Sequence, residues 1–160
     1  MRASRLSCKY LPLFLQIRWA LINAPPSRRV LEIGTGNGVL LCEFAKAGYD
    51  PSRLLGIDYS PGSITLSRRI AKNRGLDEIT FYLCDFLSED PPCISNMQET
   101  VNSWDLLLDK GTFDAISLVE KNTSEQSPSD LYSARVSRLL RPGALFLITC
   151  QYSASTDPLR

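Results

Sequence analysis

A glycine-rich stretch near residue 30 constrains the fold of this 160-residue chain more than any other feature. Residues Val30–Ile33 are mostly apolar, Gly34, Gly36 and Gly38 follow on alternate positions, and an apolar run with helical spacing begins at Val39. This order predicts a buried strand, a tight turn and a helix that begins at the turn. Glycines suit such a turn because they adopt positive φ and let a ligand approach the backbone, and the helix start adds free N–H groups. An ordinary strand–turn–helix without a ligand explains the stretch equally well.

The glycine spacing bears on which ligand the turn would hold. A dinucleotide-binding turn has the pattern Gly-x-Gly-x-x-Gly, whose third glycine would fall at position 39, where this chain has Val39. Glu32 lies two residues before the first glycine, and its charge would repel a pyrophosphate. A cationic ligand without phosphate fits better. The residues therefore point to S-adenosylmethionine, whose sulfonium and ammonium groups are positive, and argue against a nicotinamide oxidoreductase.

Length and composition predict a single globular domain over residues 1–160. The chain is 44% hydrophobic and 22% charged, which is ordinary for a folded domain. Its formal net charge of +1 gives no overall field that would attract nucleic acid or an anionic membrane. No uninterrupted apolar run reaches the roughly 18 residues that a spanning helix needs. We therefore expect neither direct nucleic-acid binding nor a membrane partner.

Cysteine and histidine usage bears on compartment and on metal binding. The five cysteines are scattered without a CxxC pair, which suggests buried thiols in a reducing compartment and a cytoplasmic location, with the nucleus also compatible. The chain has no histidine. A zinc site is therefore not expected, and the commonest general base is absent.

The first 29 residues contain six basic residues, and the first acidic residue of the chain is Glu32. A basic, acid-free N terminus is compatible with a mitochondrial targeting segment. The interpretation that we favour is a helix from Leu13 to Asn23 that packs on the edge of the sheet and is ended by Pro25 and Pro26.

Two further predicted strands each end at an acidic residue. Arg53–Asp58 is a buried strand, and Asp58 lies 24 residues after Gly34, close to the spacing at which an acid reaches ribose hydroxyls. Ile79–Phe86 is the next strand, in which Asp85 could accept from an adenine amino group and Phe86 could pack against the ring. Each acid taken alone is equally or better explained as a turn residue. In an open parallel sheet, however, these strand ends line one crevice.

The remaining segments complete an alternating α/β pattern. Helices are predicted over Ser60–Asn73 and Ser129–Leu140, with Leu131, Ala134, Val136, Leu139 and Leu140 available for burial in the second. Strands are predicted at Trp104–Asp109 and Ala144–Cys150, and surface loops at 87–103 and 120–128.

Several of these motifs carry a family resemblance that covers Val30 to Thr149. The glycine turn Glu32–Gly38, Asp58, Asp85-Phe86 and the turn Leu140–Gly143 resemble class I S-adenosylmethionine-dependent methyltransferases. The segment Asp109–Ile116 is similar to the signature after strand four of eukaryotic protein-lysine methyltransferases. Together with Gly56–Pro61, it resembles most closely the group that methylates a lysine of translation elongation factor 1-alpha.

The resemblance implies a cofactor, a set of site residues and a partner. The cofactor is S-adenosylmethionine, and the implied binding residues are Glu32, Gly34, Thr35, Gly36, Asn37, Gly38, Asp58, Tyr59, Asp85 and Phe86. Asp109 would lie at the mouth of strand four, where the substrate amine meets the methyl group, and is the catalytic candidate. A structural clamp between Lys110 and Asp109 is an alternative of at least equal weight. The implied partner is a protein substrate, elongation factor 1-alpha among them, and a monomer is expected.

The resemblance also implies a fold, from which this chain departs at both ends. The expected architecture is α/β, a doubly wound Rossmann-like parallel sheet with five strands in the order 3-2-1-4-5. A divergent segment 1–28 would precede a cofactor-binding core 29–150 and a tail 151–160. The helix and antiparallel strand pair that family members carry after strand five have no counterpart here, so we expect a truncated or alternative form with an unpaired edge at Leu145–Ile148.

Two rival functions follow from these departures and motifs. The first is a cofactor-binding but inactive interaction module that keeps the crevice and lacks the substrate lid. The second, a nucleic-acid base methyltransferase, would carry Asn/Asp-Pro-Pro-aromatic after strand four, and Asp109–Thr112 does not match that pattern.

Overall fold

A parallel β-sheet with helices on both faces is the frame on which the site residues lie. The computed structural model describes residues 4–5, 13–94, 97–118 and 127–149. In chain order the elements are β1 (Ser4–Arg5), α1 (Leu13–Asn23), β2 (Val30–Ile33), α2 (Val39–Lys46), a 3₁₀ turn (Pro51–Arg53), β3 (Leu54–Asp58), α3 (Pro61–Asn73), β4 (Thr80–Leu83), β5 (Trp104–Lys110), α4 (Thr112–Ser117), α5 (Pro128–Leu139) and β6 (Leu140–Thr149).

The strand order confirms the predicted doubly wound fold. The sheet runs β1-β6-β5-β2-β3-β4, and each neighbouring pair is parallel. The five predicted strands therefore lie in the order 3-2-1-4-5. Because both faces of such a sheet are covered, its strands read as continuous apolar runs, and every residue of β2 and β3 is buried.

The expectation that the edge beside strand five is wholly unpaired is wrong. The short strand β1 pairs with β6, with Ser4 opposite Leu147 and Arg5 opposite Ile148. Backbone groups of the basic N-terminal segment thus cover part of that edge. A strand of two residues has no hydrophobic period, so the sequence pattern could not reveal it.

Helix α1 has the predicted bounds but not the predicted place. Ala20 and Ala24 are buried in one apolar cluster with Leu106 of β5 and Leu147 of β6, so α1 packs on a face of the sheet and not on its edge. The small side chain of Ala20 lets α1 pack against the strands, and Ala24 follows directly after the helix. Helices α2 and α3 contribute to the same cluster, whereas α4 and α5 pack on the opposite face.

Two strand boundaries also differ from the prediction. Strand β4 stops at Leu83, so Asp85 and Phe86 lie in the following turn. Strand β6 begins already at Leu140, and its register with β5 shifts near Gly143, whose φ is +80°. The predicted end at Cys150 and most of the predicted loop 120–128 fall outside the described residues.

Within the described ranges, no helix has the length and apolar character that crossing a membrane requires. In the same part of the chain, no three Cys, Asp or Glu side chains cluster as metal ligands would. Cys42 and Cys84 are buried as expected and Cys93 is exposed, while Cys8 and Cys150 lie outside the description.

Candidate functional site

The carboxyl ends of β2, β3, β4 and β5 surround two adjoining cavities. The larger, which we call the polar cavity, measures about 550 Å³ and is lined by residues that include Leu13, Gln16, Glu32, Gly36, Asn37 and Lys110. The smaller, the apolar slot, measures about 240 Å³, and its apolar lining comes from Ile57, Cys84, Phe86, Leu87, Ala115 and Ile116. Gly34 lines both cavities.

The cavities gather nine of the ten predicted binding residues. Those on the polar cavity are Glu32, Gly34, Thr35, Gly36 and Asn37. Those on the apolar slot are Gly34, Asp58, Tyr59, Asp85 and Phe86. Glu32 and Phe86, which are 54 positions apart in sequence, thus lie at the same edge of the sheet. In open parallel sheets, ligands bind in the crevice at this edge, outside the carboxyl ends of the strands.

The glycines of the turn have different physical reasons for being glycine. All three have positive φ, +70° at Gly34, +56° at Gly36 and +71° at Gly38. A Cβ on Gly34 would lie 1.8 Å from the Thr112 hydroxyl, so Gly34 makes room for the segment after β5. A Cβ on Gly36 would meet no atom within 4 Å. Gly36 therefore leaves open space beside the polar cavity that a ligand can use.

Gly38 differs from the other two. It is not among the residues that line either cavity in the described part of the chain. A Cβ there would lie 2.7 Å from Ser67 Cβ and from the Phe81 ring. Gly38 thus allows α2 to begin directly against α3 and β4, which is a packing role and differs from the predicted role in making room for a cofactor.

Asp58 holds the glycine turn in place. One carboxylate oxygen accepts from the Gly36 N–H at 2.9 Å, and the other accepts from the Ser60 N–H at 2.9 Å. These bonds fix the turn after β2 to the turn after β3. Because carboxylate oxygens have further lone pairs, the predicted contact with ribose hydroxyls stays a prediction, compatible with this geometry.

Glu32 is a buried carboxyl at the wall of the polar cavity. Its Oε2 accepts from the Thr35 hydroxyl at 2.7 Å, and the side chain is 1% exposed. Burial raises the pKa of Glu32 to about 8, against the lowering effects of the Thr35 hydrogen bond and of Lys110. A cation in this cavity would favour the ionised carboxylate. The site thus holds a latent negative charge, which agrees with the predicted preference for a cationic ligand.

Asp85 and Phe86 form one end of the apolar slot. Asp85 accepts from the Leu87 N–H at 3.1 Å and from the Ser88 hydroxyl at 2.9 Å, so it also closes the turn after β4. Phe86 is buried, with its ring at the slot. Tyr59, at the other side, is 80% exposed. A flat aromatic ligand could pack between these elements, with Asp85 and Asp58 as acceptors at its rim.

The Asp109 carboxylate accepts hydrogen bonds from several groups of the protein. Its carboxylate accepts from the N–H groups of Thr112 and Phe113 at 2.8 and 3.0 Å, and from the Tyr132 hydroxyl. Burial raises its pKa to about 6, although these hydrogen bonds lower it. Asp109 is therefore a clamp for the start of α4. The donors that hold this clamp are Thr112, Phe113 and Tyr132, in place of the predicted Lys110, which lines the polar cavity. The catalytic assignment stays a prediction.

The structure adds site residues that the sequence pattern did not indicate. Leu13 and Gln16 reach the polar cavity from α1, and Thr112 links the start of α4 to the end of β2 by donating to the Ile33 carbonyl at 3.0 Å. Tyr132 joins Asp109 from 23 residues further along the chain. Only the packing of α1 and α5 brings Leu13, Gln16 and Tyr132 to the site, so no local signal could have identified them. Thr112 lies within the segment Asp109–Ile116, but its bond to Ile33 depends on the pairing of β2 with β5.

Comparisons with known proteins agree with this geometry. A family model described as "Methyltransferase domain" matches residues 26–157. The chain is 42% identical over 134 residues to human EEF1A lysine methyltransferase 2, which covers 83% of this chain and 52% of that protein. It is 38% identical over 126 residues to the Schizosaccharomyces pombe protein-lysine N-methyltransferase efm4, covering 76% of this chain and 50% of that protein. The chain thus spans about half the length of these relatives.

A solved structure shares the fold. Coclaurine N-methyltransferase, crystallised with N-methylheliamine and S-adenosylhomocysteine, superposes with a TM-score of 0.62 at 17% identity. The match covers 85% of this chain and 35% of the enzyme.

Proposed function

Because this chain belongs to the class I S-adenosylmethionine-dependent methyltransferases, we propose that it transfers a methyl group to the side-chain amine of a lysine in a protein. Elongation factor 1-alpha is the proposed substrate, since the human relative is named for it. The observation that carries the proposal is the open space at Gly36 beside the buried carboxyl of Glu32. That pairing leaves room for a cofactor and favours a positive one.

The two cavities fit the two ends of S-adenosylmethionine. In the polar cavity, the Glu32 carboxyl and the Lys110 ammonium offer opposite charges to the amino-acid end of a zwitterionic ligand. The apolar slot offers Phe86 and Ile116 to a flat ring, with the acids Asp58 and Asp85 at its rim. Gly34, between the cavities, would lie beside the middle of the ligand.

The residues of the site would act mainly by positioning. S-adenosylmethionine supplies, when bound, a methyl carbon made electrophilic by the neighbouring sulfonium. An in-line displacement then gains most from holding the amine and that carbon in a line. Asp58 would fix the turn that meets the cofactor, and Asp109 would fix the start of α4 beside it. Histidine, which this chain lacks, is not required for such a step.

A second candidate function is a cofactor-binding module without transfer activity. The observation that favours it is the state of Asp109, whose carboxylate is buried and accepts from Thr112, Phe113 and Tyr132. A carboxylate held in this way offers little to an incoming amine. Under this alternative the crevice would bind S-adenosylmethionine, and the chain would act through an interaction.

One experiment separates the two functions. The purified 160-residue chain is titrated by calorimetry with S-adenosylmethionine and S-adenosylhomocysteine, and is then incubated with elongation factor 1-alpha and S-adenosylmethionine, with lysine methylation read by mass spectrometry. Micromolar binding with methylation supports the enzyme. Binding without methylation supports the module, and a folded chain that binds neither compound contradicts both.

A further inference from the structure

Tyr132 is a buried side chain that contacts one wall of the apolar slot at Phe86 and is linked to the other wall through Asp109. It lies on α5, is 1% exposed, and does not itself line the slot. One wall of the slot is Phe86, in the turn after β4; the other is α4, through Thr112, Ala115 and Ile116. These walls come from segments about 26 residues apart in sequence, as the positions of Phe86 and Thr112 show.

The hydroxyl of Tyr132 acts on the α4 wall. It donates to Asp109, whose carboxylate in turn accepts from the N–H groups of Thr112 and Phe113 at the first turn of α4. Thr112 also donates its hydroxyl to the Ile33 carbonyl at 3.0 Å. The phenol hydroxyl therefore stabilises the charged form of the carboxylate that holds this helix against the glycine turn.

The ring of Tyr132 acts on the Phe86 wall. The two ring centroids are 5.2 Å apart with an interplanar angle of 68°, an edge-to-face contact. The Arg135 guanidinium lies 5.7 Å from the Phe86 centroid and is paired with Asp90 at 2.9 Å. Phe86 is thus held by two side chains one helical turn apart on α5.

We infer that Tyr132 is a positioning residue that sets the spacing between the two walls of the apolar slot. The ring places Phe86, the hydroxyl places α4 through Asp109, and the rigid phenol joins the two. The inference rests on the proposed function, because it takes the adenosine portion of the cofactor as the ligand of the slot.

Tyr49 provides a matched control for a tyrosine with a purely structural role. It is also 1% exposed, its hydroxyl donates to the Ala24 carbonyl at 2.5 Å, and its ring packs on Phe44. It is not among the residues that line either cavity. Tyr49→Phe and Tyr132→Phe each remove one buried hydroxyl and keep the ring, so both should lose stability, Tyr132→Phe somewhat more because its acceptor is a carboxylate.

The test compares adenosine binding by wild type, Tyr132→Phe and Tyr49→Phe in the full chain. We expect Tyr132→Phe to bind adenosine about tenfold more weakly, the scale of one charge-assisted hydrogen bond, and Tyr49→Phe to bind as wild type does. Equal adenosine affinity of Tyr132→Phe and wild type would overturn the inference.

The pH dependence of adenosine affinity provides a second test, because a loss of stability alone would not shift it along the pH axis. Protonation of Asp109 weakens its hold on α4, and removing the Tyr132 hydroxyl raises the pKa of Asp109 above its value of about 6. The acid side of the affinity profile should therefore move to higher pH in Tyr132→Phe and stay in place in Tyr49→Phe. The other ionisable groups around Asp109 are Asp114 on α4, Glu32 on β2 and the adjoining Lys110, and all are unchanged in both variants. An unmoved profile contradicts the inference.

Amide hydrogen exchange separates failure of the inference from failure of the proposed function. If wild type binds neither adenosine nor S-adenosylhomocysteine, the proposed function is refuted. The exchange rates of the Thr112 and Phe113 amides then test, without a ligand, whether Tyr132 holds α4 in place. Faster exchange in Tyr132→Phe than in Tyr49→Phe supports the hold on α4, and equal rates overturn it.

Discussion

At the residue scale, the three buried carboxyl groups of the site differ in how many donors hold them. Glu32 accepts from one side-chain hydroxyl, Asp58 from two backbone N–H groups, and Asp109 from two backbone N–H groups and a phenol. Hydrogen bonds to the charged form oppose the effect of burial. Glu32, with a single donor, accordingly has its pKa raised to about 8, further than that of Asp109.

The raised pKa of Glu32 predicts how the stability of the ligand-free chain depends on pH. Its folded pKa of about 8 exceeds the ordinary 4.5, so its contribution is fully present below about pH 4.5 and is lost as pH rises through 8. We expect a loss of roughly 3–5 kcal/mol between pH 5 and 9. Glu32→Gln should flatten this slope in chemical denaturation. Glu43→Gln is the control, because Lys46 lowers the pKa of Glu43, so that this group affects stability only at acid pH. A slope as steep in Glu32→Gln as in wild type would contradict the assignment.

The predicted contact of Asp58 with ribose can be tested apart from its hold on the glycine turn. Adenosine and 2′-deoxyadenosine are titrated into wild type and Asp58→Ala. Wild type should bind the deoxy compound about 1.5–3 kcal/mol more weakly, as expected for a lost hydrogen bond to a charged group. In Asp58→Ala the difference between the two ligands should nearly vanish. A difference of the same size in both proteins would exclude the ribose contact.

At the element scale, the loop between β2 and α2 combines a proposed ligand surface with a packing junction. Gly36 faces open space, whereas Gly38 lies against Phe81 and Ser67. Two glycines of the same motif therefore have different roles, one beside open space and one in close packing. Substitutions at the two positions should separate binding from folding.

Gly36→Ala should abolish cofactor binding and leave the chain folded. A positive φ costs alanine about 1–2 kcal/mol, and Gly75→Ala is the matched control, since Gly75 has φ +67° and no atom within 4 Å of its Cβ position. The two variants should have similar melting temperatures, and only Gly75→Ala should bind S-adenosylhomocysteine. Gly38→Ala should lose about 1–3 kcal/mol more from overpacking. Wild-type affinity in Gly36→Ala would contradict the proposed ligand surface.

Elements with a clear local signal in the sequence could be predicted, whereas contacts that depend on tertiary packing could not. Strands β2, β3 and β5 are apolar runs, and α3 has a Ser-Pro start, so their bounds agree to within a residue. In α5 the predicted apolar face included Ala134, which is exposed, and omitted Tyr132, which is buried. A tyrosine is amphipathic, so the sequence does not show whether it is buried. Burial of Tyr132 depends on an acceptor for its hydroxyl, Asp109, which only the fold brings near.

At the scale of the whole molecule, the site draws on segments from α1 to α5. Leu13 lies at one end of this range and Tyr132 near the other, with four strands between them. The cavities are therefore complete only when most of the described chain is folded. Ligand binding should thus be linked to global unfolding.

This linkage predicts a ligand-dependent melting temperature. At a concentration of 100 times its Kd, S-adenosylhomocysteine should add about 2.7 kcal/mol to the free energy of unfolding. For a chain of this length that corresponds to roughly 5–11 °C in melting temperature. Differential scanning fluorimetry measures it, with Gly36→Ala as the non-binding control. A folded wild-type chain with no shift would contradict the proposed cofactor site.

Gly34 touches both cavities, and this has a consequence for inhibitor chemistry. A small aromatic fragment for the slot and a zwitterionic fragment for the polar cavity would approach each other at Gly34, beside a backbone that presents no side chain. A short tether across that point would turn two weak ligands into one, with a gain set by effective concentration. Leu13 and Gln16 of α1 would form the part of the cavity wall that faces the zwitterionic fragment.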